Sequence, residues 1–131
     1  MKKLNRILIV SFSFLLLISC HNDLPVAPSC ITIDEISDTF DQSLVQVNSS
    51  KKIPFEITND CNSNLNVLEL DVDNTATEFL IEGLRKNSVI TKDGLKFNVV
   101  FSPKAKGQKT FKFSIKTIEA TVYMNLGAKG I

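Results

Sequence analysis

The chain has 131 residues, 15 basic against 14 acidic, with three cysteines, nine phenylalanines, one tyrosine, one histidine and no tryptophan. That length supports one domain around one hydrophobic core. The balance of charge argues against nucleic acid, which calls for a surplus of basic groups, and the single histidine, His21, lies on an N-terminal stretch read below as a tether, which gives a His-dependent triad or zinc site no scaffold.

Lys2, Lys3 and Arg6 precede an apolar run from Ile7 to Ile18, interrupted only by Ser11 and Ser13. As a helix rising about 1.5 Å per residue, this run falls far short of the roughly 30 Å hydrocarbon core of a bilayer. A basic start, a short apolar middle and a small residue at the exit predict a secretory signal peptide over residues 1–19. The exit, Leu17-Ile18-Ser19-Cys20, resembles the bacterial lipoprotein signal, in which the cysteine takes a diacylglyceryl thioether and becomes the first mature residue. The resemblance implies a third acyl chain, such as palmitate, on the new amine in a Gram-negative bacterium. Two or more chains, at about 0.8 kcal/mol per buried methylene, hold a protein stably on a membrane. Cys20 is therefore expected to be a lipid anchor in the cell envelope. His21 stands where enteric inner-membrane lipoproteins carry Asp, which points to the outer membrane.

Cleavage before Cys20 removes three of the 15 basic residues and leaves 12 against 14 acidic, so the net charge moves from +1 to −2. Residues 20–29, with Pro25 and Pro28, read as an extended tether. Cys30 and Cys61 remain. An even number in an exported chain suggests a disulfide; the alternative is two separate thiols.

From residue 31 onward the period is two. Ile53, Phe55 and Ile57 alternate with Pro54, Glu56 and Thr58; Leu95, Phe97, Val99 and Phe101 with Lys96, Asn98, Val100 and Ser102; Phe111, Phe113 and Ile115 with Lys112, Ser114 and Lys116. Val122, Met124 and Leu126 continue the pattern. Half-buried strands read this way. In 64–72, Leu65 and Val67 lie on one phase while Leu68, Leu70 and Val72 lie on the other; a bulge or a strand changing sheets produces such a shift. Turn signals at 48–50, 59–62, 73–75, 92–94 and 102–107 separate the runs. The prediction is an all-β protein, an immunoglobulin-like β-sandwich of about seven strands over residues 30–131. The strands are expected at 31–36 continuing to about 47, 51–58, 64–71, 77–82, 95–101, 109–116 and 120–126, with 83–94 a connection.

The segments IPFEITNDCNSNLNVLELDV and LKFNVVFSPKAKGQKTFKFSIKTIEATVYMNLGAKG resemble the hydin-like, or ASH, immunoglobulin-type domains related to major sperm protein. The resemblance rests on Thr58-Asn59 before a turn, Val99-Val100-Phe101-Ser102-Pro103 at a strand end, Gly107, and a close at Leu126-Gly127-Ala128-Lys129-Gly130. It covers about residues 31–131. Cys61 stands at a turn position where that family usually has glycine. The family's general role implies a binding or architectural module and no enzyme.

If consecutive strands alternate in direction, Cys30 and Cys61 fall at the same end of the sandwich, which favours the bridge. The far end then carries the charged loops, and Lys51, Asp71, Asp73, Lys104 and Lys106 are the expected contacts for an unknown envelope partner, through that tip or an exposed sheet edge. Residues 20–82 hold 2 basic and 12 acidic groups, and 83–131 hold 10 and 2. Pairing of strand 109–116 with strand 64–71 would bring Lys112 and Lys116 toward Glu69 and Asp71 and cancel this separation. Asp71, Asp73 and Thr75, with Glu82 eleven positions after Asp71, imitate part of a calcium loop, but Ala76 sits where an EF-hand needs glycine. No metal site, cofactor or catalytic residue is expected. The alternative function is a ligand-binding accessory lipoprotein for a glycan or a metal ion; Tyr123 as a lone outward ring makes the glycan version poor.

Overall fold

The computed structural model describes residues 29–36 and 43–131. The signal peptide 1–19, Cys20, the tether up to residue 28 and Phe40 lie outside the described residues. Within them the secondary structure is all strand: β1 Ile31–Glu35, β2 Leu44–Val45, β3 Lys51–Asn59, β4 Leu65–Asn66, β5 Glu69–Val72, β6 Phe79–Glu82, β7 Val89–Ile90, β8 Leu95–Phe101, β9 Gly107–Lys116 and β10 Thr121–Gly130.

These strands form the expected immunoglobulin-like sandwich. The first sheet has the order β1-β3-β8-β6 and the second β2-β10-β9-β5, with a two-stranded ribbon β4-β7 beside them. Every ladder is antiparallel except β2 with β10. The period-two pattern decides which side of each strand is buried. Ile53, Phe55, Ile57, Phe97, Val99 and Phe101 face inward from the first sheet; Phe111, Phe113, Ile115, Leu126 and Ala128 face inward from the second. Phe79 stacks on Phe111 at 4.9 Å and Phe97 meets Phe113 edge-on at 6.1 Å, so aromatic contacts join the two sheets directly. Six phenylalanines supply this core.

Two strands change sheets. The segment expected to run from 31 to about 47 divides into β1, on the edge of the first sheet, and β2, which pairs with Lys129 and Gly130 in the second. The phase shift in 64–72 has the same cause: β4 pairs with β7, then β5 pairs with β9. Changing sheets turns the buried side over, so Leu65 and Val67 are buried while Leu68 is exposed. The 83–94 connection contains β7, whose Ile90 is buried along with Leu84. The final strand runs four residues beyond the expected 126. Gly130 allows this, since a Cβ there would lie 2.4 Å from the Ala105 carbonyl oxygen and 2.9 Å from the Pro103 Cβ.

Cys30 and Cys61 form a disulfide, with their Cα atoms 5.1 Å apart. The pairing of Ile31 with Asn59 at the head of the β1-β3 ladder brings them together, and the Asp60 backbone N–H donates to the Cys30 carbonyl at 2.8 Å.

Candidate interaction surfaces

Three places could engage another molecule: the end of the sandwich opposite the disulfide, the outer edge of β10, and the outer face of the second sheet. The opposite end gathers loops 46–50, 73–78 and 102–106. Its organiser is Glu78. One carboxylate oxygen accepts the Lys104 backbone N–H at 2.5 Å, and the other lies 3.1 Å from the Lys109 ammonium, with the Glu78 side chain only 13% exposed. The Asn48 N–H donates to the Pro103 carbonyl and the Val47 N–H to the Ile131 carbonyl, both at 3.0 Å. The Glu78–Lys104 and Asn48–Pro103 bonds tie down loop 102–106 while the side chains of Lys104 and Lys106 remain exposed. Lys51 begins β3 at the same end and its ammonium donates to the buried Ser43 hydroxyl at 3.2 Å.

The bond from the Lys104 N–H is the chief cause holding the Glu78 carboxyl below its ordinary value of 4.5, and Lys109 adds to it. A carboxyl lowered on folding stabilises the folded state above the unfolded pKa, and that contribution is lost as pH falls through the folded value. Thermal melts should therefore drop on acidification below about pH 4.5. Glu78→Gln should cost about 1–2 kcal/mol at neutral pH and flatten that acid limb.

The five expected contact residues do not form one patch. Lys51, Lys104 and Lys106 lie at the tip, and Asp73 borders it. Asp71 sits further along β5 on the outer face, opposite Ser114 in the ladder. The calcium-like spacing does not converge either. Asp73 Oδ1 accepts both the Thr75 N–H, at 2.9 Å, and its hydroxyl, at 2.5 Å. That hydroxyl, the N–H and the nearby Lys112 all lower the Asp73 pKa. Glu82 belongs to the opposite sheet, 2.6 Å from the Lys52 ammonium. The expected cancellation of acidic and basic halves is present across the strands, with Glu69 opposite Lys116 at 4.0 Å and Glu78 with Lys109.

The outer side of β10 is marked by its bonds to the β2 segment. The Lys129 N–H donates to the Ser43 carbonyl and the Ile131 N–H to the Val45 carbonyl. Backbone direction alternates along a strand, so Thr121, Tyr123 and Asn125 point their N–H and C=O groups to that same side. Among the described residues no strand pairs with them there. The outer strands β1, β6 and β5 carry charge, Asp34 and Glu35 on β1, Glu82 on β6, and Glu69 and Asp71 on β5; the short β2 and the TVYMN stretch of β10 carry no Asp, Glu, Lys or Arg. Charge on an edge discourages the addition of another strand, and this edge lacks it.

On the outer face, rows cross β5, β9 and β10: Glu69, Lys116 and Thr121; then Asp71, Ser114 and Tyr123. Lys112 opposes Asn125 in the next row. Tyr123 is 78% exposed. Sequence alone identified Tyr123 as an outward ring, but its neighbours depend on cross-strand register. A second residue it left without a role is Asn59, 3% exposed, whose amide donates at 3.0 Å to both the Ser63 and Ile90 carbonyls and accepts from the Cys61 N–H at 2.9 Å. Its place in Thr58-Asn59, immediately before a turn, was the available signal.

No protein-family model matches the sequence, and no curated protein matches it. Solved structures match the fold. The ASH/PapD-like domain 7 of human CEP192 superposes with a TM-score of 0.57 at 15% identity, covering 79% of this chain and 86% of that one. A family 123 glycoside hydrolase from Clostridium perfringens gives 0.57 at 7% identity over 79% of this chain and 27% of its own. Domains 4 and 5 of the S-layer protein SbsC give 0.45 at 16% identity, over 76% and 51%. The ASH/PapD-like fold is thus the architecture of this sandwich.

Proposed function

We propose that this chain is a lipid-anchored envelope protein whose sandwich serves as a non-enzymatic protein-interaction module. Acylated Cys20 fastens it to the outer membrane of a Gram-negative bacterium, and an envelope protein is its partner. The observation that carries this reading is the uncharged edge of β10 at Thr121, Tyr123 and Asn125, which no strand among the described residues pairs, and where an extended partner segment gains main-chain hydrogen bonds by strand addition. The tip at the Lys129 end of the same strand adds Lys104 and Lys106 as charged contacts. A non-catalytic role is supported in that four acidic groups already serve the structure: Glu69, Glu78 and Glu82 lie in ion pairs and Asp73 is bonded to Thr75.

A photo-crosslinking residue placed in living cells at Thr121, at Lys106 and, as a control, at Lys52 on the opposite sheet tests this. One discrete protein adduct is expected from Thr121 and Lys106 and none from Lys52. Lys104→Glu with Lys106→Glu should weaken capture from Thr121. Absence of any adduct at both Thr121 and Lys106 would contradict the proposal.

A further inference from the structure

Independently of that edge, we infer that the outer face of the second sheet is a binding groove for a neutral oligosaccharide chain. A depression of about 460 Å³ is lined by Asp71, Asp73, Lys112, Ser114, Tyr123 and Asn125 among others. A second, of about 250 Å³, shares Asp71, Ser114 and Tyr123 with the first and continues to Glu69, Lys116 and Thr121. The two are therefore sections of one trench running along β9. The register explains its shape. Ser114 is the small floor, Asp71 and Tyr123 rise on the flanking strands with backbones about 10 Å apart, and Lys112 and Lys116 stand about 7 Å to either side along β9. The larger section lies within the range of about 300–1,000 Å³ common to small-molecule sites, and an open trench suits a chain better than a single compact ligand.

The lining selects the chemical class. Lys112 donates, Asp71 accepts, and Ser114, Asn125 and the Tyr123 hydroxyl do both. Acids and bases alternate around the floor, so a polyanion meets Glu69, Asp71 and Asp73, and a basic peptide meets Lys112 and Lys116. Each pays like-charge repulsion somewhere along the groove. A neutral polyhydroxyl chain does not, because its hydroxyls can donate to Asp71 and accept from Lys112. The exposed ring face of Tyr123 supplies the apolar platform on which the C–H face of a sugar ring rests. Asp71 and Tyr123 have no hydrogen-bond or ion-pair partner among the described residues, so neither has to give one up.

The chain has one tyrosine and no tryptophan, which makes its intrinsic emission a report on this groove. The full chain in detergent is titrated with cellotetraose, chitotetraose and maltotetraose while tyrosine fluorescence is followed. At least one tetrasaccharide should change the emission saturably, with a Kd of roughly 0.01–1 mM. By calorimetry Tyr123→Ala should lose roughly tenfold or more in affinity and Tyr123→Phe less than about threefold, while Lys52→Ala leaves binding unchanged. Tyr123 is exposed, so an unchanged melting curve for both variants certifies their fold. No response to any of the three sugars overturns the inference. So does binding that survives Tyr123→Ala, or a response to an oligo-arginine peptide or to heparin in their place.

Discussion

Replacing Cys30 and Cys61 together by serine is expected to cost about 3–4 kcal/mol of folding stability, the loop-closure entropy of a bridge that spans 31 positions. Domains of this size have about 5–15 kcal/mol in all, so the variant stands near the edge of unfolding. At roughly 4–8 °C per kcal/mol, the melting temperature should fall by about 12–32 °C. Differential scanning calorimetry with and without reductant measures both versions of the loss. The mechanism is local as well as entropic. Ile31 and Asn59 pair at the open end of the β1-β3 ladder, and the bridge fixes the chain entering β1 to the turn leaving β3. Without it the first residues of β1, on the outer edge of their sheet, are held by that ladder and by the burial of Ile31 in the core. A melting temperature unchanged by reductant would show that the bridge does not constrain the unfolded chain in this way.

The second large effect is expected at Asn59. Asn59→Ala removes three hydrogen bonds at a 3%-exposed position and leaves the Ile90 carbonyl and the Cys61 N–H without that partner. At about 1 kcal/mol for each bond, with a further penalty for stranded buried groups, the loss should be about 3–4 kcal/mol. Asn59→Leu should be no better, because the polar groups it strands are backbone. Chemical denaturation reads the difference directly. The two perturbations share residues 60–64: Asn59 binds the N–H of Cys61 and the disulfide holds its sulfur. Their effects should therefore combine less than additively, by about 1 kcal/mol or more, in a double-mutant cycle. Once the bridge is gone the turn is freer, and Asn59 has less fixed structure to lose. Strict additivity would mean that the amide and the disulfide stabilise separate parts of this end.

Much of the architecture was legible because one face of each strand is buried. Ile53-Phe55-Ile57, Phe97-Val99-Phe101 and Phe111-Phe113-Ile115 declare both a strand and its inward side, and β3, β8 and β9 form within a residue or two of the expected bounds. Strand parity also brought Cys30 beside Cys61. The phase shift near Leu68 announced a discontinuity but not its cause, because a bulge and a change of sheet leave the same trace in one strand. β7 is two residues long, too short for any period to show. Gly130 reads as a closing signal, yet its missing side chain lets β10 continue past Ala105.

The candidate sites were less legible for a related reason. Which side of β10 Thr121, Tyr123 and Asn125 turn their backbone groups to depends on how β2 pairs with Lys129 and Gly130, a fact about another strand. The Asp71-Ser114-Tyr123 row exists only once two registers are fixed. Asp71 and Asp73 are two positions apart in sequence, but the side chain of Asp73 is bonded to Thr75 at the turn while Asp71 faces out beside Ser114. Proximity in sequence grouped them with Lys51, Lys104 and Lys106; the sheet separates Asp71 from that group.

Both the edge and the groove matter only if the sandwich hangs in an exported, oxidising space, and intact-mass spectrometry of protein isolated from cell envelopes without reductant tests that most directly. A chain beginning at Cys20, heavier by a diacylglyceryl group and a fatty acid, and with Cys30 and Cys61 unreactive to alkylation, is the predicted result. A chain that retains residues 1–19 and takes up alkylating reagent at all three cysteines would contradict it.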